Sequence, residues 1–355
     1  MRQPGLFATG GALIAAIAPV STPYPAVRSG AVLHFPADHG AHPLFRTEWW
    51  YVTGWLQTDD GKKLGFQVTF FRTRPPIDER NPSRFAARQV LFAHAALSDP
   101  ATGRLVHGER AARVGFGLAD AKSGEAAVAI RDWQLQRLPN GQWQTRVSAS
   151  DFALALRFTP AQPPLLQGSG GYSRKGPQPQ QASYYYSVPH LRVTGRVEQN
   201  GKPASVSGEA WLDHEWSSNY LAPDAQGWDW TGLNFDDGSA LMAFRIRSKH
   251  GGTLWAGGTL RKADGTTTTL GPADVAFRTV ATWRSTATGA VYPVTQDLRI
   301  RVGGRIEQWR LVPMFAAQEM DTRRSGLPVY WEGAVGTKGG RGYLELTGYD
   351  QPLAL

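Results

Sequence analysis

An all-β chain of antiparallel hairpins is predicted, and three observations carry the prediction: runs with apolar residues at every second position, turn dipeptides between them, and a hairpin pattern that occurs twice. Leu64, Phe66, Val68 and Phe70 share one face of a strand, as do Phe152, Leu154, Leu156 and Phe158. Asp60-Gly61, Asn140-Gly141, Asn200-Gly201, Asp237-Gly238 and Asp264-Gly265 mark tight turns, where glycine accepts the positive φ that hairpins require. The 40 Gly and 24 Pro are scattered at such places rather than gathered in a repeat. No long stretch of helical period competes with this pattern.

The repeated hairpin begins with Trp50-Tyr51-Val52-Thr53-Gly54, passes Asp59-Asp60-Gly61 and continues into Leu64–Arg72. Its second copy begins with Trp228-Asp229-Trp230-Thr231-Gly232, passes Asp236-Asp237-Gly238 and continues into Leu241–Arg247, with one residue skipped. Two similar β modules follow, and closed or nearly closed barrels suit them because closure disposes of sheet edges. Gln162–Tyr186 reads as a long irregular insert of the kind that forms lids or binding loops. Its end, Tyr184-Tyr185-Tyr186, reads as a strand, with Tyr184 and Tyr186 facing one way and Tyr185 the other.

A length of 355 residues allows two ordinary domains or one large all-β unit. The net charge of +9 is spread along the chain without a basic helix or arginine tract, so nucleic acid is not an expected partner. The absence of cysteine excludes disulfides, thiolate catalysis and cysteine-ligated metal. At the N-terminus, Arg2 precedes a short apolar run from Gly5 to Ala18. This has the form of a secretory signal and is too short to span a bilayer comfortably. Residues 1–28 are therefore read as a signal peptide or disordered leader, and the protein as periplasmic or secreted. No membrane span is expected in the mature chain.

The densest chemistry lies between Trp211 and Trp230, which holds four tryptophans where the chain average of 13 in 355 gives about one. Indole faces beside ionisable groups suit an apolar ligand held by a few polar contacts, or an acid shielded until its pKa rises. In Trp211-Leu212-Asp213-His214-Glu215-Trp216, strand alternation places Asp213 and Glu215 on one face and His214 and Trp216 on the other. Two carboxyls on one face can share a proton and so supply a neutral acid. Asp229 points away from Trp228 and Trp230 if its strand alternates, and Asp236-Asp237 reads as a turn. Glu48 with Trp50, and Trp331 with Glu332, repeat the theme of acid beside indole. His94, in an apolar strand, reads either as a hydrogen-bonded core residue or as a binding residue. His34, Asp38, His39 and His42 have a metal-like composition, but Pro36, Gly40 and Pro43 impose an irregular loop and the spacing fits no standard zinc signature. A hydrogen-bonded histidine set, without metal or other cofactor, is expected. No nucleophile elbow, phosphate loop or dinucleotide fingerprint occurs.

These blocks together resemble the AttH-like, or carotenoid 1,2-hydratase-like, branch of the lipocalin-related proteins, whose members are often described as secreted hydrolases. The resemblance rests on His42–Gly54, Ala93–Asp99, Ser183–Ser187, Trp211–Ser218, Gly227–Trp230 and Tyr330–Gly333, and so spans about residues 30 to 350. It implies two lipocalin-like (calycin-type) antiparallel β-barrel domains side by side, here 29–217 and 218–355, with an apolar small-molecule pocket near their junction. Relatives include hydratases and cyclisation catalysts. The hydratase branch resembles this chain in a His-x-Trp pair, His214 and Trp216, while Phe235-Asp236-Asp237 stands where an aromatic-x-acid pair begins with tyrosine. The mechanism expected from the resemblance has Asp213 or Glu215 protonating an isoprenoid-like alkene and His214 orienting water. Trp216, Trp228 and Trp230 then stabilise the cation. Asp229, Glu48, Trp50, His94, Tyr184, Tyr186, Trp331 and Glu332 complete the expected binding set. The alternatives are a non-catalytic carrier of a lipophilic ligand and a secreted hydrolase of lipids or esters.

Overall fold

A computed structural model describes residues 24–77 and 80–353; the leader expected at 1–28 lies almost wholly outside them. The described chain is all-β, with two antiparallel sheets and two 3-10 turns, Ala37–His39 and Arg323–Ser325. The first sheet has thirteen strands and runs from Thr47 to Asn219, and the second has ten and runs from Ala225 to Thr347. Among the described residues no helix is long and apolar enough to cross a membrane.

The two sheets repeat one plan. In the first, the hairpin Thr47–Thr58/Lys63–Thr73 continues through Val90–Asp99 to Arg104–Arg113, and Thr47–Thr58 pairs on its other side with Lys202–Asn219, the sheet's last strand. In the second, Ala225–Phe235/Ala240–Ser248 continues through Thr253–Arg261 to Thr267–Leu270, and Ala225–Phe235 pairs with the last strand, Gly340–Thr347. The two Asp-Asp-Gly segments are the hairpin turns, with Gly61 at φ 86° and Gly238 at φ 87°. Each sheet curls around its own apolar core, and the first is a nearly closed barrel. Trp50, Phe66, Phe70, Trp133, Trp143 and Trp216 fill the first core, and Leu233, Phe277, Tyr292 and Trp331 stand in the second.

A third cluster joins the sheets. Tyr51, Tyr185 and Trp211 from the outer face of the first sheet meet Trp230, Met242, Phe244 and Tyr343 from the second. Trp55 Nε1 donates across the junction to the Gly342 carbonyl at 3.0 Å. A bulge between Val188 and Leu191 turns His190 to φ 51° and seats its backbone N–H on Asn234 Oδ1 at 3.1 Å. The 162–186 segment, expected as a lid-like insert, folds back instead. Leu165–Leu166 and Tyr172–Arg174 pair with Ala182–Gln199, because the tyrosine-rich strand offers them an unpaired edge.

Gly54 lies opposite Ala210 on the neighbouring strand, and a Cβ there would stand 2.8 Å from the Ala210 Cα and closer still to the Glu209 carbonyl oxygen. Backbone cannot yield as a side chain can. Gly54→Ala is expected to destabilise the protein by ~1–3 kcal/mol, read as a lower denaturation midpoint at unchanged m-value.

Candidate functional site

A cavity of ≈ 320 Å³ lies between the outer faces of the two sheets. The first sheet contributes Trp49, Tyr51, Phe71, Phe92, Tyr185, Asp213 and Glu215, and the second contributes Trp228, Trp230, Phe244, Tyr330, Glu332 and Glu345. The wall is thus largely aromatic, with a few acids set into it.

Those acids differ in their partners. Glu215 pairs with Lys175 (Nζ–Oε1 2.9 Å) and also accepts from Ser183 Oγ, while Lys175 donates to Ser173 Oγ at 3.0 Å and rests over the Tyr185 and Phe244 rings at 4.6 and 4.3 Å. Asp213 accepts from Tyr185 OH (2.7 Å), Trp211 Nε1 (2.6 Å) and Ser187 Oγ, and Trp230 Nε1 donates to the same Tyr185 hydroxyl at 3.0 Å. Burial outweighs these bonds and raises the Asp213 pKa to about 7. Glu332 is 1% exposed, and neither of its oxygens has a well-aligned hydrogen-bond partner, although the Tyr51 and Tyr330 hydroxyls lie beside it. Glu345 sits directly opposite on the adjacent strand. Burial holds both carboxyls well above the usual carboxylate range, with the Glu345 charge adding to the effect at Glu332 and the Asp213 and Glu215 charges adding to it at Glu345. His94 shares a 2.8 Å hydrogen bond with Tyr330 OH through Nδ1, and its Nε2 has no partner.

Several residues expected at the site lie behind it, in the interior of the first sheet. There Glu48 accepts from His214 Nε2 (2.9 Å), His42 Nδ1 (2.8 Å), the His42 backbone N–H (2.9 Å) and Arg72 Nε (2.7 Å). Trp50 stacks on His214 with ring centroids 4.7 Å apart, and Trp216 stacks on His42 at 3.7 Å. Tyr186 OH meets His39 Nδ1 at 2.6 Å, and Tyr184 packs on Trp216 and Phe45. His214 therefore cannot orient water for Asp213 or Glu215, since strand alternation places its ring on the opposite face. The same alternation sends Trp216, Trp50, Tyr184 and Tyr186 inward and brings Trp49, Tyr51 and Tyr185 to the cavity.

His42, Glu48 and His214 are the one group among the described residues whose donor atoms converge as metal ligands would. Their spacing is that of hydrogen bonds, and Arg72 occupies the second carboxylate oxygen, which favours an ion-pair network over a metal centre. Asp38 ties the preceding loop together through the His34 backbone N–H and His42 Nε2.

In the second sheet Asp229 faces the interior, as alternation requires, but it is held by Arg245 (2.7 Å), Arg247 (3.0 Å) and Tyr349 OH (2.9 Å) and does not reach the cavity. Trp331 is core, donating to the Ala316 carbonyl at 2.7 Å. Phe235 is core as well, and Asp236 and Asp237 are exposed in the turn, so that triplet lies away from the cavity. Of the expected set, Asp213, Glu215, Trp228, Trp230, His94 and Glu332 share the cavity wall, and Glu48 borders it as well, although its hydrogen-bond partners lie in the interior of the first sheet. Lys175, Glu345, Tyr51, Tyr185 and Tyr330 join them unforeseen. Glu345 had a signal: a lone acid in Tyr343-Leu344-Glu345-Leu346, at odds with its neighbours.

Two outcomes follow. Glu48→Ala leaves the Arg72 guanidinium, 2% exposed, without its carboxylate and is expected to cost ~3–5 kcal/mol in chemical denaturation. Burial lowers His39 and His94 from 6.5 to about 3, so below 6.5 the unfolded chain binds protons there that the folded chain does not. Stability must therefore fall as pH drops from 6.5 toward 3. His94→Gln is expected to flatten that limb by up to ~1.4 kcal/mol per pH unit, measured by urea unfolding between about pH 5 and about pH 7.

The fold and the cavity can now be set beside known proteins. The sequence profile described as AttH-like matches residues 26–349. A crystal structure of an AttH-type protein from Nitrosomonas europaea superposes with a TM-score of 0.85 at 51% identity, covering 92% of this chain and 100% of that one. Kievitone hydratase from Nectria haematococca superposes with a TM-score of 0.65 at 12% identity, covering 94% and 98%. CghA, solved with Sch210972, gives 0.53 at 14% identity, covering 86% and 89%. The last two likenesses concern the lipocalin-like fold alone. No curated protein matches the chain significantly. With the profile spanning nearly the whole described chain and a solved relative sharing half its residues, this protein belongs to the AttH-like family.

Proposed function

We propose that this protein is an enzyme of the hydratase or lyase type, adding water across an isolated alkene of an apolar, isoprenoid-like substrate held between the two sheets. The observation that carries the proposal is Glu332: a buried carboxyl in an aromatic cavity, raised by burial and by Glu345, with no cation and no well-aligned hydrogen-bond partner. Such a group stays protonated above the usual carboxylate range and can act as a proton donor. The fold shared with kievitone hydratase is consistent with this chemistry.

The residues divide the work as follows. Glu332 delivers its proton to one alkene carbon, the π electrons form the new C–H bond, and positive charge develops on the other carbon. Trp49, Trp228 and Trp230 line the cavity there and stabilise that charge through their ring faces. Water attacks the cation, and its released proton returns to the Glu332 carboxylate left by the first step, so the pair ends with the protons it began with. Asp213 acts through Tyr185, fixing the hydroxyl that also receives Trp230 Nε1. This replaces the expected roles of Asp213 and Glu215 as acid, because both are already engaged by other donors. An ester hydrolase working through serine gains no support, since no serine is among the residues lining the cavity. Export to the periplasm or beyond is proposed with it on the N-terminal apolar run, and N-terminal sequencing of protein from fractionated cells tests that point.

Ligand extracted from the purified protein and identified by mass spectrometry supplies the substrate. Incubation in D₂O is then expected to yield an alcohol with one C–D bond, and Glu332→Gln to slow the reaction by ~10²–10⁴-fold. Return of the ligand unchanged by the unmodified protein would identify a carrier instead. Full activity of Glu332→Gln would remove Glu332 as the acid.

A further inference from the structure

The ionisable groups on the cavity wall do not balance. Glu48 is matched by Arg72 and Glu215 by Lys175. His94 is held neutral by burial, with its pKa at about 3. Asp213, Glu332 and Glu345 remain without a cation. Asp213 has three hydrogen-bond donors, whereas Glu332 has none of good geometry. The other titratable groups facing the Glu332 and Glu345 pair are the Tyr51, Tyr220, Tyr330 and Tyr343 phenols and the carboxyls of Asp213 and Glu215, none of which carries positive charge. An apolar enclosure tolerates such a pair only if the carboxyls stay protonated or a cation enters from outside.

We propose that this cavity takes hydrophobic organic cations, a protonated or quaternary amine seated among Trp49, Trp228 and Trp230 with Glu332 and Glu345 as its counter-charge. Ring faces and carboxylates attract the same ligand, the first through the quadrupole and the second through Coulomb's law. The inference shares with the hydratase reading the assignment of this cavity as the ligand site. It adds that a stable ammonium occupies the place where alkene protonation would create a transient carbocation. Binding is proton-linked: as the cation enters, the acid pair releases a proton, so affinity rises with pH until the pair is ionised in the empty protein as well.

The test uses the whole protein and two probes of one shape, benzyltrimethylammonium and its uncharged isostere neopentylbenzene. Tryptophan fluorescence reports binding, and calorimetry in two buffers of different ionisation enthalpy counts protons. The ammonium is expected to bind on the order of tenfold more tightly than the hydrocarbon at neutral pH, with proton release. Glu332→Gln is expected to remove both the preference and the release while hydrocarbon binding persists, and Glu345→Gln to weaken both. Equal or tighter binding of the hydrocarbon, or ammonium binding without proton release, overturns the proposal and leaves the cavity as the ligand site. Binding of neither probe overturns the proposal and the shared assignment of the cavity together.

Discussion

Successive side chains of a β-strand must point to opposite faces, and the Lys202–Asn219 strand lies where each face meets something different. Asp213 and Glu215 look into the cavity between the sheets, while His214 and Trp216 look into the first sheet's interior. A register slip of one residue would bury two acids among the aromatic residues of the core and expose the histidine to the ligand space. Two hydrogen bonds pin the register from opposite sides, His214 to Glu48 and Tyr185 to Asp213. Each reaches a neighbouring strand, so the central strands of the sheet are located against one another by polar contacts as well as by their ladders.

Much of this was legible from residue order. Period-two patterning and Asp-Gly turns give the all-β class, and the alternation within Asp213–Trp216 assigns those side chains to faces. Choosing which face meets ligand was harder, because both faces of the central strands are buried and aromatic. Trp49 and Trp50 are alike in sequence, yet one faces the cavity and the other stacks on His214. For the tyrosine triplet the parity was readable, but the useful member was Tyr185. Lys175 was hidden because it lies in a segment whose Gly, Pro and Ser content reads as irregular, and only strand pairing at Tyr172–Arg174 draws it inward. Glu345 and Glu332 meet through cross-strand register, which no local pattern in either strand records.

The two faces also divide the electrostatics. Inside the sheets, Glu48 and Asp229 are each saturated by cationic or hydrogen-bonding partners, and each joins an acid on the first strand of a hairpin to arginine on the second. Between the sheets, Glu332 is left unsatisfied. Saturated acids hold a fold together, and an unsatisfied one stores a proton for something that enters.

The cavity is walled by the outsides of two separately filled sheets, not by the lumen of either. A half-buried side chain such as Phe92 can therefore change size without opening a hole in either core. The fillings of the two sheets are thus separate from the ligand wall, which overlaps instead with the cluster joining the sheets. A scaffold partitioned in this way can change the molecules it accepts in single-residue steps at positions outside that cluster, leaving the filling of both sheets intact.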